Sequence, residues 1–374
     1  MSEIGLLEKL VSINSVFPNE RELGEFLEGE LKERGFAVRR VEAEGRFCLV
    51  GERGTEGEPV MLYGHMDTVP KYGEWSSDPF ALREEEDKLY GLGAYDMKAG
   101  IAAILKACEE HSERRVRVAF GVDEENNSAG SWALVNEGAF EGVQCVIVPE
   151  INDSPDTPGR ADAIVLGRRG RAVYEINVPG ESMHGAQSTK GTSAISEAAR
   201  LVAELENAEM PSHEKLPDGS QFIRKIHAET SSLSLPENAA IELDRHLVTP
   251  ETTESVLAQL RELIERLYSE GKFNPINGRK ISVGIKERHT PYLPPYTTPE
   301  NDPNVARLAE IVRKEVGEPQ FTYGYTVCDE NAIATTGVPV IDYGPVGANY
   351  HSADEWVSKQ SYLDLIKVLR RFIQ

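Results

Sequence analysis

The sequence predicts an α/β fold, with one domain on a mixed, mainly parallel sheet and an inserted ferredoxin-like α+β domain. Three observations carry this reading. Short apolar runs, of the kind buried on both faces, alternate with helical patterns in the first and last parts of the chain. The middle stretch instead reads β-α-β-β-α-β. A Pro-rich stretch, 289–299, then leads back toward the first domain. With 374 residues the chain is long for one domain and sufficient for two. We place the discontinuous α/β domain at 1–170 and 289–374, and the inserted domain, called the lid below, at 171–288.

Two amphipathic helices open the chain. In the second, Leu23, Phe26, Leu27 and Leu31 fall on one face, and Gly35 stops it. Buried strands are expected at 60–63, 116–122, 145–148 and 338–342. Helices are expected at 97–110, 130–138, 304–316 and 359–372. In the lid the predicted order is a strand at 172–178, a helix at 193–206, strands at 231–235 and 240–247, a helix at 252–270 and a strand at 280–288. There is no internal repeat and no low-complexity segment.

Composition narrows the function. The chain carries 62 acidic and 40 basic residues, a formal net charge of −22, which argues against a nucleic-acid partner. The N-terminus has no basic region followed by an apolar stretch, and no apolar run has the length of a membrane span. A cytoplasmic enzyme without a membrane partner is therefore expected. The four cysteines form no C-x-x-C pair, and Cys108 and Cys145 lie in apolar runs as reduced core residues.

The acids and histidines cluster at strand ends. His65 and Asp67 follow the 60–63 strand, Asp123, Glu124 and Glu125 follow 116–122, and Glu150 follows 145–148. His351 lies in the loop after 338–342, and Asp96 precedes the helix expected to begin at Met97. Ligands of open α/β sheets bind outside the carboxyl ends of the strands, so these segments can converge at one edge. Imidazole and carboxylate donors without thiolate suit catalytic zinc or a related divalent ion. A carboxylate can bridge two such ions, and paired ions about 3.5–4 Å apart support hydrolysis by water. One of Glu124 and Glu125 can then ligate while the other serves as base. Asp67, two residues beyond His65 on the same strand face, can hold the imidazole from behind.

Each residue also has a plainer reading. Asp96 can be only a helix N-cap, Glu124 and Glu125 a solvated turn, and His351 a surface histidine. Asp153 can replace Glu150. A lid histidine such as His184 is often merely exposed, and a strand arginine such as Arg245 often makes a salt bridge. Arg168, Arg169 and Arg171 read as decoration of a hinge, with steering of an anionic substrate as the alternative. Agreement of five convergent segments favours the metal reading over each of these.

The segments YGHMDTVP (63–70), GLGAYDMKAG (91–100), GVDEENNSAGS (121–131), VPE (148–150), VPGESMHGA (178–186) and YHSADEWV (350–357) resemble, in order, the M20 family of metallopeptidases and amidohydrolases. That family includes acetylornithine deacetylase, succinyl-diaminopimelate desuccinylase, aminoacylase and carboxypeptidases. The resemblance spans nearly the whole chain and implies a zinc-exopeptidase-like catalytic domain. It implies two divalent ions, zinc or alternatively cobalt, with His65 and Glu150 on one, Glu125 and His351 on the other, and Asp96 bridging. It makes Glu124 the general base and Asp67 the residue orienting His65. His184 becomes the lid histidine that steadies the oxyanion across a homodimer formed through the lid. Asn238 and Arg245 match lid positions that hold a substrate carboxylate.

The implied reaction is amide hydrolysis of a small N-acyl amino acid, with a carboxypeptidase or dipeptidase as the alternative. A metal-free binding protein on the same scaffold would have lost ligands or base, and none is missing. Three departures bear on specificity: Ala99 where the family has glycine, no proline after His184, and 325–329 in place of the usual Gly-Gly-Thr-Asp.

Overall fold

In the computed structural model, which describes residues 1–110, 113–152, 154, 156–157, 159–230 and 232–374, the chain divides into two units. One is Met1–Arg168 with Thr297–Gln374; the other is Arg169–Tyr296.

The sheet of the first unit begins with a hairpin, Ala37–Ala43 and Arg46–Arg53. Glu44 and Gly45 both adopt positive φ (50° and 74°), as a two-residue turn between twisted strands requires. From that edge the order runs Ala37–Ala43, Arg46–Arg53, Arg114–Gly121, Glu56–His65, Val146–Val148, Val340–Asp342, Ala163–Arg168. Glu56–His65 is parallel to both neighbours, and Val146–Val148 is parallel to Val340–Asp342. The last seven residues of Glu56–His65 and all of Val146–Val148 are buried, hence their continuous apolar runs. Because these strands are parallel, His65, the 123–125 turn and Glu150 leave the sheet at the same edge.

Helix Ala99–Ala107 is buried along its whole length and packs against Glu3–Ser12 and Lys359–Ile373. It starts two residues later than the sequence suggests. Asp96 (φ −113°, ψ 92°) and Met97 (φ −129°, ψ 37°) leave helical geometry, so Asp96 does not cap this helix. Gly100 allows the helix to touch the adjoining strand end: a Cβ there would lie 2.2 Å from the Pro149 carbonyl oxygen, one residue before Glu150.

The inserted unit has the order Gly170–Pro179, Ala194–Glu206, Ser220–His227, Asn238–Leu247, Thr253–Ser269, Ser282–Ile285. Its antiparallel sheet runs Ser220–His227, Asn238–Leu247, Gly170–Pro179, Ser282–Ile285, which is ferredoxin-like. Tyr174, Ile176 and Ile241 pack with Leu201, Leu205, Leu260 and Ile264 of the two helices. A capping box of Thr252 and Ser255 starts the second helix.

Two expectations for this unit are corrected. The strand expected at 231–235 is not one: Ser231 lies outside the described residues, and the rest contributes an isolated bridge between Ser234 and His184. The strand is Ser220–His227 instead. The Pro-rich stretch also stays with this unit through Tyr296, because the Leu293 carbonyl accepts the Arg171 N–H at 2.9 Å.

Candidate metal centre

A strand end and four loops of the first unit bring five side chains together. His65 ends its strand, and its Nε2 lies 3.1 Å from Asp96 Oδ1 and 3.1 Å from Glu150 Oε2. His351 Nε2 lies 3.2 Å from Asp96 Oδ2 and 2.8 Å from Glu125 Oε2. The result is two groups, His65–Asp96–Glu150 and Asp96–Glu125–His351, in each of which the ligand atoms lie within 4.8 Å of one another. Asp96 belongs to both and turns a different oxygen to each. The groups differ in exposure: the His65 side chain is 1% exposed and that of His351 44%. His351 itself holds a positive φ of 56°, unusual for a residue with a side chain and common at functional loops.

The turn after Arg114–Gly121 presents Glu124 and Glu125. Asp123, at φ 70°, anchors it: its carboxylate accepts the Ala129 N–H at 3.1 Å and pairs with Arg46 at 3.2 Å. Burial and the neighbouring Glu125 charge push the Glu124 carboxyl well above the usual range, although His65 opposes this. Burial and Asp96 push Glu125 up to about 7. Burial alone would lower His65, yet Glu150 and Asp96 drive it well above an ordinary histidine.

This donor set fits divalent cations. Three carboxyl groups, Asp96, Glu125 and Glu150, converge on two imidazoles, and neither group includes a thiolate. Glu125 Oε1 is buried without a hydrogen-bond partner, an arrangement that a bound cation satisfies. The His65 Nδ1–H donates to the Asp67 backbone carbonyl at 3.0 Å, leaving Nε2 as the coordinating nitrogen.

That bond corrects the expected role of Asp67. Its carbonyl holds the imidazole, while its carboxylate is 3.7 Å away and turned elsewhere. Oδ2 accepts the Glu125 N–H at 3.0 Å, so Asp67 ties the His65 strand end to the Glu125 turn. Glu150 is the carboxylate at its group, with Oε1 held by the Ile151 N–H at 2.8 Å. The alternative, Asp153, lies outside the described residues.

In the inserted unit, His184 is exposed and its Nδ1 accepts the Ala186 N–H at 3.2 Å. Asn238 is exposed, and its Oδ1 accepts from Arg279 at 3.3 Å. Arg245 is corrected: its side chain is buried and donates to Glu251 at 2.7 Å, the salt bridge that a strand arginine commonly makes. The three hinge arginines are also engaged. Arg169 donates to the Asp218 carbonyl and to Ser220, and Arg171 pairs with Asp244. Arg168 is fully buried and donates to Glu330 (3.1 Å), Asp342 (2.5 Å) and the Ile151 carbonyl (3.2 Å). Two buried acids without an assigned role also lie close by. Asp329 is bonded to Tyr63 and Ser131, and Glu355 lies four residues after His351.

Residues 61–374 match the model of peptidase family M20/M25/M40. The chain is 26% identical over 383 residues to a succinyl-diaminopimelate desuccinylase of Sulfurovum sp. (strain NBC37-1), covering 100% of this chain and 99% of that protein. A tripeptidase of Staphylococcus aureus shares the fold at TM-score 0.79 and 20% identity, over 99% of this chain and 96% of that one. A dinuclear metal-binding M20 peptidase of Bacillus subtilis does so at TM-score 0.74 and 16% identity, over 99% and 96%. The chain therefore belongs to peptidase family M20/M25/M40 and is a metal-dependent hydrolase.

Proposed function

We propose that the chain hydrolyses the amide bond of a small N-acyl amino acid. His65, Asp96 and Glu150 hold one divalent ion; Asp96, Glu125 and His351 hold the other. The observation that carries this is the division of the two Asp96 oxygens between two imidazoles. Full-length similarity to a desuccinylase supports an acylated amino acid as the substrate class. Zinc is the proposed ion, with cobalt as the alternative, from the imidazole–carboxylate donor set. When bound, such a pair supplies Lewis acidity toward a carbonyl and makes water acidic enough to react at neutral pH.

The chain supplies the rest. Glu124 takes the proton from the attacking water and returns it to the departing nitrogen, a task suited to a carboxyl with a raised pKa. Asp67 keeps His65 and Glu125 in register through its carbonyl and its carboxylate. His184, with Nδ1 accepting a backbone N–H, has Nε2–H free to donate to an oxyanion. We assign it that role in a homodimer formed through the inserted unit. Exposure of Phe222 and Ile226 on the edge strand Ser220–His227 supports such a dimer. Asn238 is the proposed lid contact for a substrate carboxylate; Arg245 is left out because Glu251 occupies it. No helix among the described residues is long and apolar enough to cross a membrane, and a cytoplasmic location is proposed.

The test is a panel of N-acetyl and N-succinyl amino acids and di- and tripeptides, assayed with zinc or cobalt beside metal analysis. Turnover of acylated amino acids is expected. Turnover of peptides alone would move the reading to a carboxypeptidase or dipeptidase on the same centre. A protein that holds no divalent ion and stays inactive after metal addition would overturn the reading.

A further inference from the structure

The turn that carries Asp96 has a backbone problem. Ala94–Lys98 is irregular and buried, and the N–H groups of Gly93, Tyr95 and Asp96 need acceptors inside the protein. One side chain supplies them all. Glu355 Oε2 accepts the Gly93 N–H at 2.8 Å, and Oε1 accepts those of Tyr95 at 2.8 Å and Asp96 at 3.0 Å. Glu355 is almost completely buried.

Strand register puts it there. Trp356–Ser358 pairs antiparallel with Lys88–Tyr90, Trp356 opposite Tyr90, and the Glu355 carbonyl accepts the Gly91 N–H at 3.1 Å. Main chain and side chain of one residue thus clasp 91–96. The same loop carries His351, four residues earlier, so the second imidazole and the clasp on the bridging carboxylate belong to one segment.

The geometry points to Glu355 as the positioning residue for the shared Asp96 carboxylate. It touches neither ion nor substrate. It acts through the Asp96 N–H, holding the backbone where Oδ1 meets His65 and Oδ2 meets His351. A carboxylate suits this task because both its oxygens only accept, and such bonds to a charged acceptor are strong. A glutamine cannot replace it. Whichever way its amide turns, an NH2 faces either the Gly93 N–H or the Tyr95 and Asp96 pair. The inference rests on the two-ion reading above.

The experiment compares wild type, Glu355→Gln and Glu355→Asp after reconstitution with cobalt. Cobalt stoichiometry and affinity, the electron paramagnetic resonance signal of a coupled cobalt pair, kcat, KM and the thermal midpoint are all measured. For Glu355→Gln we expect first-ion affinity near wild type and second-ion affinity reduced about 10–100-fold, as for residues that orient metal ligands. The coupled signal should weaken, and kcat should fall by a similar factor with KM little changed. Glu355→Asp, which keeps the charge one methylene short, should recover part of the second-ion affinity.

Wild-type second-ion affinity, coupling and kcat in both variants, with only a lower thermal midpoint, would overturn the inference. So would failure of both to fold, since Glu355 would then be a fold element and no more. A wild-type protein that binds no cobalt would instead sink the two-ion reading, an outcome visible before any variant is made.

Discussion

Asp96 and His351 meet at 3.2 Å through Oδ2, while the other oxygen of the same carboxylate faces the buried His65. One group is closed from solvent and the other opens to it through a half-exposed histidine in a left-handed loop. The two ions should therefore leave at different rates. A chelator is expected to strip the His351 group first, giving biphasic metal release. His351→Ala should retain one ion, and Asp96→Asn should weaken both. Stopped-flow release with a chromogenic chelator checks this; one phase for both ions would contradict the asymmetry.

Glu124 carries the proposed proton transfer and lies outside both three-residue groups. Glu124→Ala, compared at matched metal content, should lose about 10²–10⁴-fold in kcat, the usual contribution of a positioned acid–base group. Metal affinity should change little. Unchanged turnover at full metal occupancy would remove Glu124 from the role.

The centre was legible because its residues leave parallel strands at one edge, and buried strands announce themselves as unbroken apolar runs. Other features were invisible for physical reasons. The start of the helix at Ala99 depends on dihedrals at Asp96 and Met97 that no residue type dictates. The edge strand Ser220–His227 was missed because its outward face mixes Phe222 and Ile226 with Arg224. The alternation in 231–235 looked more like a strand but lacks a ladder partner. Asp67 stands two residues after His65 in the sequence, yet whether its carbonyl or its carboxylate faces the imidazole is a matter of tenths of an ångström. Glu355 was hidden among 62 acids; only the pairing of Trp356 with Tyr90 shows which backbone it faces.

Removing the metal should reverse the usual gain in stability on raising pH from acid. Burial pushes Asp329 up to about 6, and burial with Asp96 pushes Glu125 up to about 7. Hydrogen bonds to Asp96 and Glu125 raise His351 to about 10. Each of these groups binds its proton more tightly folded than unfolded. Their stabilisation is complete below the unfolded values and is lost as pH rises through the folded ones. The metal-free protein should therefore melt lower at pH 8 than at pH 5. Zinc binds the deprotonated ligands, so the increase in melting temperature on adding zinc should be larger at pH 8. Scanning fluorimetry with and without chelator at both pH values tests the sign of each effect.

Arg168 should prove a stability residue. Its guanidinium, fully buried, compensates Glu330 and Asp342 together. Burial raises the Glu330 pKa and Arg168 is the first influence holding it down. Arg168→Met strands two buried carboxylates, and loss of one partner from such a cluster costs roughly 3–5 kcal/mol. The cost should be smaller at pH 5 than at pH 8, because the abandoned acids can take up protons. Arg168→Met combined with Glu330→Gln should recover part of it by removing one stranded charge. Denaturant unfolding of the three proteins at both pH values decides the matter. An Arg168→Met protein as stable as wild type at pH 8 would mean that water reaches these carboxylates.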